Sequence, residues 1–312
     1  MKSVNLRIIT SDMAALDTHM NMQGKIVLIT GANSGLGFAT ASALAAQGAS
    51  IIMVCRDPKR GAEARDKITA LATAAVPVLL IADLSSQVSI RTLAAEIYKR
   101  FTHIDVLINN AGGVFAQREF SVDGIEKTFA INHLAPFLLT HLVLNLLKAS
   151  PAGRIVNIAS NLHNVSPDFF NNLQGEQKYN FMLAHKQSKL GLILFTYELA
   201  RRLQGTNVVV NCVEPGPTKT RFGDNMDNIA SLFLRIMKRL PIFRSPEEGA
   251  LALIYAASSS EVEGVTGKYF VKSKPAKSKP ITYDLDVAAR HWAVSERLIG
   301  LASPKAFGRA PA

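Results

Sequence analysis

Three glycines after the first apolar run of the chain could form a phosphate-binding turn. Residues 25–30 read Lys-Ile-Val-Leu-Ile-Thr, and Gly31, Gly35 and Gly37 come directly after them. Glycine permits a tight turn and lets the backbone approach a ligand closely. The free N–H groups at the start of a helix carry partial positive charge and bind anions. If a helix follows, this pattern predicts a site for the diphosphate of a dinucleotide rather than a plain loop.

A histidine and a lysine lie four residues apart, at His185 and Lys189. Residues with this spacing share one face of a helix, so the two side chains are expected to meet. Histidine exchanges protons near neutral pH, with a reference pKa of about 6.5. A neighbouring ammonium group disfavours the imidazolium form, so we expect the pKa of His185 to fall. A neutral imidazole can still donate one N–H to an oxygen, but it is a poor proton donor.

The residues at the end of the second apolar run indicate which dinucleotide the protein binds. Proteins that bind NAD place an acid at this strand tip to hydrogen-bond the ribose hydroxyls. Here Cys55 fills that place, and Asp57 lies beyond it. Arg56 follows directly, and a guanidinium group suits a 2′-phosphate, while Lys59 and Arg60 add positive charge. We therefore expect NADP(H) rather than NAD(H), the alternative being that these cations are only solvated.

The elements that would position these residues follow from the alternation of apolar runs with amphipathic stretches. Strands are predicted at residues 25–30, 51–55, 76–81, 104–109, 154–159, 207–213 and 268–271. Helices are predicted at residues 36–47, 59–71, 87–100, 122–148, 180–204 and 246–257. Strands this apolar are typical of a parallel sheet covered by helices on both faces. The alternation predicts an α/β fold, a doubly wound parallel sheet of the Rossmann type in one three-layer αβα domain.

The predicted domain extends over residues 23–300, because the alternation continues throughout this range. Residues 1–22 are interpreted as an N-terminal extension and residues 301–312 as a C-terminal tail. The stretch at residues 272–280 is rich in lysine, serine and proline. It is expected to be a loop, since too little chain follows it to fold alone.

The motifs occur in the order and spacing of a known family. The GxxxGxG spacing of the three glycines resembles the short-chain dehydrogenase/reductase family. Further matches, in chain order, are Asp83, residues 109–112 (Asn-Asn-Ala-Gly), Asn132 and residues 215–220 (Pro-Gly-Pro-Thr-Lys-Thr). Residues 154–160, 172–179 and 188–203 look most like retinol-dehydrogenase-type members and their bacterial relatives. The resemblance spans residues 23–300 and implies the same fold.

The resemblance implies hydride transfer between a nicotinamide and a carbonyl carbon. In the family, a serine hydrogen-bonds the carbonyl oxygen, a tyrosine transfers the proton, a lysine holds the ribose, and an asparagine supports a water relay. The matching positions here are Ser160, His185, Lys189 and Asn132, so a histidine stands in the place of the tyrosine. Tyr179, six residues upstream of His185, is not expected to take over that position.

The resemblance also implies which residues contact the dinucleotide. They are Gly31, Asn33, Ser34, Gly35, Leu36, Gly37, Arg56, Asp83, Leu84, Asn110, Ala111, Gly112, Lys189, Pro215, Gly216, Thr218 and Thr220. No metal site is expected. The two cysteines, Cys55 and Cys212, lie in apolar runs and form neither a disulfide framework nor a zinc site.

Three interpretations of His185 follow from its chemistry. The histidine could be a working replacement acid. The protein could instead bind NADP(H) and be a catalytically weak or inactive pseudoenzyme. The histidine could also be an engineered or accidental change in an otherwise normal reductase. General acid–base help is typically worth about 10²–10⁴-fold, so its loss is compatible with slow turnover or with none.

Composition and charge limit the partners and the location. The net charge is +11 at pH 7, but the basic residues are scattered apart from Lys272, Lys274, Lys277 and Lys279. Nucleic-acid binding is therefore not expected. Residues 1–23 lack the apolar core of a signal peptide, and no stretch reaches the roughly 18 apolar residues of a membrane span. A cytoplasmic protein is expected.

Residues 228–243 are expected to close over the substrate, as this region does in the family. Leu232, Phe233, Ile236, Met237 and Leu240 recur there at helical spacing. They predict either a lid helix packed on the domain or an apolar substrate mouth with peripheral membrane contact. Both favour an apolar or bulky alcohol or carbonyl substrate. The resemblance further suggests a homo-oligomer that pairs through the two long helices.

Overall fold

A mostly parallel sheet forms the centre of the molecule. The computed structural model describes residues 22–218 and 243–301. The strands are β1 (Ile26–Thr30), β2 (Ser50–Cys55), β3 (Val78–Ile81), β4 (Val106–Asn109), β5 (Gly153–Ile158), β6 (Val208–Glu214), β7 (Tyr269–Val271) and β8 (Lys274–Ala276). Their order is β3-β2-β1-β4-β5-β6-β7-β8, parallel up to β7 and antiparallel between β7 and β8. This confirms the predicted doubly wound α/β fold.

Helices cover both faces of the sheet. They are α1 (Gly35–Ala46), α2 (Pro58–Thr69), α3 (Gln87–Arg100), α4 (Lys127–Lys148), α5 (Phe181–Arg202), α6 (Pro246–Ser258) and α7 (Leu285–Leu298). One hydrophobic cluster lies between the sheet and helices α1, α2 and α6, and another lies between the sheet and helices α3, α4 and α5. The predicted three-layer αβα arrangement is confirmed.

Successive residues of the central strands pack into the hydrophobic clusters on opposite faces of the sheet. In β1, Leu28 packs on the side of α3, α4 and α5, whereas Val27 and Ile29 pack on the side of α1 and α6. All three side chains are fully buried. Because strand side chains alternate between the two faces, a strand covered on both faces has to be apolar throughout. This requirement explains the continuous apolar runs of the sequence.

Helix α4 begins later than the predicted start at Val122. The Glu126 carboxylate accepts hydrogen bonds from Thr128 N at 2.9 Å and Phe129 N at 2.7 Å, which caps the helix. Val122 is 82% exposed and lies in the preceding turn. A π-helical turn at Ala130–Leu134 interrupts the α-helix. The predicted start was wrong because apolar spacing does not reveal a carboxylate cap.

The C-terminal part departs most from the sequence predictions. The predicted loop at residues 272–280 contains strand β8, which follows a tight turn with positive φ at Lys272 (50°) and Ser273 (61°). Helix α7 has no counterpart among the predicted helices. Its buried residues are Ala288, His291, Trp292 and Ser295. Histidine and serine do not count as apolar in a periodicity pattern, so the buried face of α7 stays hidden in the sequence.

Helix α7 packs across the two long helices. The Trp292 ring centroid lies 4.9 Å from that of Phe137 in α4 and 5.9 Å from that of Phe195 in α5. The Arg202 guanidinium lies 4.0 Å from the centroid of the Trp292 ring. The groove between α4 and α5 is therefore occupied by a helix of the same chain.

Helix α4 is the most apolar of the long helices. Among the described residues it is long and apolar enough to cross a membrane. This differs from the expectation that no stretch of the chain reaches the length of an apolar membrane span. However, 72% of its apolar window is buried inside the fold. This burial is the behaviour of a core helix, whose apolar surface is used for packing against the sheet.

Candidate active site

The turn between β1 and α1 has the shape of an anion site. Gly31 and Gly35 adopt positive φ angles of 68° and 55°, which glycine tolerates best. A Cβ atom at Gly37 would overlap the Gly31 carbonyl group, so α1 approaches the turn only because no side chain is there. Ser34, the residue before α1, makes no side-chain capping hydrogen bond. The first N–H groups of α1 are thus available to an anion, and the turn fits a diphosphate.

The ends of β1 and β4 are joined next to this turn. Asn110 N and Ala111 N both donate to Thr30 Oγ1 at 3.0 Å, and Asn110 Nδ2 donates to the Thr30 carbonyl oxygen at 2.7 Å. The chain proceeds from these neighbouring strands to opposite sides of the sheet, and ligands of doubly wound folds bind at such a point. Thr30 is missing from the predicted site residues. Its position directly before Gly31 is the only signal that the sequence offers.

The tip of β2 presents a guanidinium group. Cys55 is buried, and burial raises the pKa of its thiol to about 11. The Asp57 carboxylate accepts the Arg60 N–H at 3.0 Å and caps α2. Arg56 lies between these two residues and is exposed. The carboxylate nearest the strand tip is therefore engaged in its own helix, and Arg56 is accessible to a phosphate.

The end of β3 places Asp83 and Leu84 at the same edge of the sheet. Asp83 Oδ1 accepts hydrogen bonds from Ser85 N at 2.9 Å and Ser85 Oγ at 2.8 Å. Asp83 is exposed and Leu84 is partly buried. Since β3 pairs with β2, both residues lie beside the strand whose tip carries Arg56.

The π-helical turn in α4 holds Asn132 by three hydrogen bonds. Its Oδ1 accepts Gly113 N at 2.8 Å, and its Nδ2 donates to the Gly113 carbonyl oxygen at 2.9 Å. Its Nδ2 also donates to Ser188 Oγ at 3.1 Å, and that hydroxyl donates to the His185 carbonyl oxygen at 2.8 Å. Ser188 is not a predicted site residue; its place beside Lys189 is the available signal. Single π-helical turns occur often at functional sites, which fits the candidate role of Asn132.

His185 and Lys189 are both buried on α5. His185 is 5% exposed, and burial, with a smaller effect of the Lys189 charge, lowers its pKa to about 3. Burial also lowers the pKa of Lys189 to about 8. Lys189 Nζ donates to the Ile158 carbonyl oxygen, at the end of β5, at 2.6 Å. At neutral pH the imidazole of His185 is therefore uncharged, whereas the amino group of Lys189 is mostly protonated.

Ser160 follows β5 at the same edge of the sheet and is partly buried. Its Oγ accepts the Leu162 N–H at 3.1 Å. A hydroxyl group has two acceptor lone pairs and one proton, so this contact leaves the proton available for donation. Ser160 can therefore donate a hydrogen bond to a substrate oxygen.

Tyr179 does not replace the missing tyrosine. Its hydroxyl donates to the Phe115 carbonyl oxygen at 2.8 Å and lies 3.3 Å from Glu126 Oε1. Burial raises its pKa to about 12. Tyr179 thus stabilises the loop after β4, and its proton is held more tightly than usual.

The segment after β6 begins with a glycine turn. Gly216 has a φ angle of 81°, and its N–H donates to Glu214 Oε1 at 3.1 Å. Thr218 Oγ1 donates to the Gly216 carbonyl oxygen at 2.9 Å. Pro215 is buried between them and the strand. Thr220 and nearly all of the predicted lid at residues 228–243 lie outside the described residues.

Comparisons with known proteins agree with this arrangement. The model of the short chain dehydrogenase family matches residues 25–229. The chain is 43% identical over 295 residues to human retinol dehydrogenase 14, covering 90% of this chain and 88% of that protein. It resembles the crystal structure of an uncharacterised protein from Mycobacterium paratuberculosis, with a TM-score of 0.71, 30% identity, and coverage of 90% and 95% of the two chains.

A further solved structure is the active-site complex of Pseudomonas aeruginosa RhlG with NADP. It has a TM-score of 0.65, 25% identity, and coverage of 82% of this chain and 97% of that chain. The glycine turn lies between β1 and α1, Ser160 follows β5, and Lys189 is buried on α5. This chain therefore belongs to the short-chain dehydrogenase/reductase family, as a retinol-dehydrogenase-like oxidoreductase that acts on alcohol or carbonyl groups.

Proposed function

We propose that the protein uses NADP(H) to interconvert an alcohol and a carbonyl group on an apolar or bulky substrate. The observation that carries this proposal is the convergence of the glycine turn, Ser160 and Lys189 at the carboxyl edge of one parallel sheet. Parallel strands bring their carboxyl ends to one edge, so residues far apart in the chain meet there. Doubly wound folds bind their ligands at that edge.

The cofactor preference is argued from charge. The first N–H groups of α1 would hold the diphosphate, Arg56 the 2′-phosphate, and Lys189 the nicotinamide ribose. Arg56 is exposed at the strand tip, and the Asp57 carboxylate is occupied by the Arg60 N–H. The Pseudomonas RhlG structure, which contains NADP, supports the same choice. When bound, the nicotinamide supplies or accepts the hydride.

The residues of this chain then have to polarise the substrate oxygen and manage one proton. Ser160 Oγ can donate its proton to that oxygen, because only its acceptor side is used by Leu162 N. His185, with a pKa of about 3, can donate one N–H but carries no second proton near neutral pH. We infer that Ser160 provides the main polarisation and that turnover is slow, by about 10²–10⁴-fold relative to a site with a working acid.

The substrate class is proposed from two independent features. Human retinol dehydrogenase 14 carries the name of an apolar alcohol, and residues 228–243 have an apolar pattern at helical spacing. An apolar alcohol or aldehyde partitions into membranes, so we propose a cytoplasmic protein with peripheral membrane contact. An oligomer, if formed, would use a surface other than the groove that α7 fills.

Cofactor titration tests the first part of the proposal. Fluorescence titration of the full chain should show tighter binding of NADPH than of NADH. Arg56→Glu should weaken NADPH by about tenfold or more, because a charge-assisted contact is lost, and should leave NADH nearly unchanged. Arg65→Glu is the matched control, since Arg65 pairs with Asp66 on the exposed side of α2. Equal affinities for NADPH and NADH would refute the preference.

A nucleotide-binding protein with little or no catalysis is the second candidate. The pKa of about 3 at His185 favours it, because the neutral imidazole at this position is a poor proton donor. His185→Tyr and His185→Ala, assayed with NADPH and a panel of apolar aldehydes, separate the two candidates. An oxidoreductase shows turnover in the parent chain, which rises in the tyrosine variant. A binding protein shows NADPH affinity and no turnover in the parent chain.

The alanine variant decides whether the histidine itself works. If His185→Ala retains the parent activity, the histidine contributes no proton transfer, as its low pKa indicates. If His185→Ala abolishes a measurable activity, the histidine is a replacement acid and the inference from its pKa is wrong.

A further inference from the structure

We propose that His163 is a positioning residue for Ser160, holding the turn after β5 against the segment that follows β8. The proposal rests on the proposed function, because it assigns a role around the serine of that site. From the sequence, this histidine, three residues after Ser160, is expected at most to line the pocket. The contacts of its two ring nitrogens carry the argument.

The His163 ring is 2% exposed and bridges two segments far apart in the chain. Its Nδ1 lies 2.6 Å from the Ser160 carbonyl oxygen. Its Nε2 accepts the Lys279 N–H at 3.0 Å. The ring also meets the Tyr269 ring edge to face, with 5.5 Å between the centroids. Both ring nitrogens are therefore engaged, each with a backbone group.

These two partners fix the protonation state of the ring. A carbonyl oxygen only accepts, so Nδ1 has to carry a proton, and a backbone N–H only donates, so Nε2 has to be bare. One neutral tautomer satisfies both contacts. In an imidazolium, Nε2 would carry a proton that faces the Lys279 N–H, and the hydrogen bond to Lys279 would be lost.

The surroundings of the ring favour the neutral form. Burial lowers the pKa of His163 below its usual range; the hydrogen bond to the Ser160 carbonyl oxygen opposes this shift, the Lys279 charge adds to it, and the effect of burial is the largest. Tyr269, which faces the ring from β7, stays protonated because burial raises the pKa of its hydroxyl. Both contacts are therefore present at neutral pH, and acid protonation of Nε2 breaks the contact to Lys279.

The bridge continues to the helix that carries His185 and Lys189. The residue before Lys279 is Ser278, whose hydroxyl lies 2.8 Å from Tyr197 Oη on α5 and 2.6 Å from Thr282 Oγ1. A chain of contacts thus joins the Ser160 turn to α5 through the segment after β8. The Ser160 hydroxyl itself accepts the Leu162 N–H within the turn that His163 closes. Without the contact between the His163 ring and the Ser160 carbonyl oxygen, the Ser160 hydroxyl should adopt a wider range of orientations.

Two substitutions separate the two halves of the bridge. His163→Asn places an amide nitrogen near the Nδ1 position, so it can keep the contact to Ser160 and lose that to Lys279. His163→Gln reaches the Nε2 position with an amide oxygen, so it can keep the contact to Lys279 and lose that to Ser160. His103→Asn is the control, since His103 precedes β4 at the opposite edge of the sheet.

The first measurement is NMR of the full chain and does not depend on activity. Ring ¹⁵N shifts of His163 at pH 7 should report a protonated Nδ1 and a bare Nε2. Amide exchange should accelerate at Lys279 in the asparagine variant and at Leu162 in the glutamine variant, by about three- to tenfold for one neutral hydrogen bond. An Nε2–H tautomer, an imidazolium, or unchanged exchange at Leu162 in the glutamine variant would overturn the proposal.

The second measurement is turnover in a His185→Tyr background, which supplies a working acid. His163→Gln should lower kcat about three- to tenfold and leave KM for NADPH unchanged. With His163 intact, protonation of Nε2 breaks the Lys279 contact, so kcat should fall as the pH drops through the pKa of the ring, down to the level of His163→Asn. His163→Asn lacks that contact at every pH and should show no acid limb. An unchanged kcat in the glutamine variant contradicts the positioning role. Absence of turnover in every background instead counts against the proposed function, and the NMR result still decides the role of His163.

Discussion

At the scale of single residues, burial decides what the candidate site can do. His185 and Lys189 stand where the sequence places them, but both pKa values are lowered, to about 3 and about 8. The charged form of each group loses water contacts in the interior, which disfavours it. Between these two values the imidazole is neutral and the ammonium is charged, so the site holds one positive charge near neutral pH.

The glycine turn gives the sharpest test at this scale. Gly37→Ala should weaken NADPH binding by about tenfold or more, because the added Cβ forces the turn and α1 apart. Fluorescence titration measures the effect. Gly113→Ala is the control, because a Cβ there meets only Phe115 ring atoms, at 3.5 and 3.6 Å. Unchanged affinity in Gly37→Ala would show that the diphosphate binds elsewhere.

The pKa of Lys189 predicts how cofactor affinity varies with pH. The ammonium group loses its proton as the pH rises through about 8, so NADPH should bind more weakly at pH 9 than at pH 7. Titrations at both pH values measure this change. Lys189→Arg keeps its charge over the whole range and should show no such decline. A parent chain with pH-independent affinity would mean that Lys189 does not contact the cofactor.

At the scale of elements, α7 docks on α4 and α5 through a buried histidine pair. The His133 and His291 ring centroids lie 4.4 Å apart. His133 Nε2 lies 2.8 Å from Ser295 Oγ, and that hydroxyl donates to the His291 carbonyl oxygen at 2.8 Å. The two rings fit because Gly191 on α5 has no side chain; a Cβ there would press on the His291 ring. The contact therefore depends on two uncharged imidazoles.

The contact between His133 and His291 predicts that the free energy of unfolding decreases at acidic pH. Burial lowers the pKa of His291 to about 3 and that of His133 well below 6.5. The unfolded chain takes up these protons near pH 6.5 and the folded chain does not, so the free energy of unfolding decreases as the pH falls below 6.5. Between pH 7 and pH 5 the loss is about 2 kcal/mol per histidine.

Denaturant unfolding at the two pH values measures this loss. His291→Leu should reduce the difference between pH 7 and pH 5 by about 2 kcal/mol, because one titrating group is removed. His103→Asn serves as a histidine control away from this contact. An unaltered difference in His291→Leu would show that the imidazole titrates normally and is not held neutral by packing.

At the scale of the whole molecule, a helix of the chain occupies the groove between the two long helices. Trp292 fills that groove, and the Arg202 guanidinium covers its ring. A second copy could reach this surface only by displacing α7. The aromatic side chains that line this groove are therefore covered by a helix of the same chain.

This arrangement predicts the behaviour of a Trp292→Ala variant. Removal of a buried tryptophan should lower the free energy of unfolding by about 3–5 kcal/mol, and the exposed groove should promote association. Denaturant unfolding and light scattering measure the two effects. A parent dimer that dissociates in Trp292→Ala would contradict the view that α7 takes the place of a partner.

Features that are encoded within a few consecutive residues could be predicted before the fold was known. The parallel sheet follows from the apolar runs, and the turn that holds Gly31, Gly35 and Gly37 follows from the need for positive φ and close approach. The shared face of His185 and Lys189 follows from helical spacing. Such patterns are local, because a strand, a turn or a helix imposes its own period on the chain.

The contacts that these residues make depend on how distant segments of the chain pack together. The hydroxyl of Thr30 joins Asn110, 80 residues away, and His163 joins Lys279, 116 residues away. The burial that neutralises His185, and the groove that α7 fills through His133 and His291, arise only when helices pack. Contacts of this kind join segments that are far apart in the chain, and the local periodicity of the sequence does not show which segments will meet. In addition, the sequence does not distinguish a polar side chain on a buried face from one exposed to water.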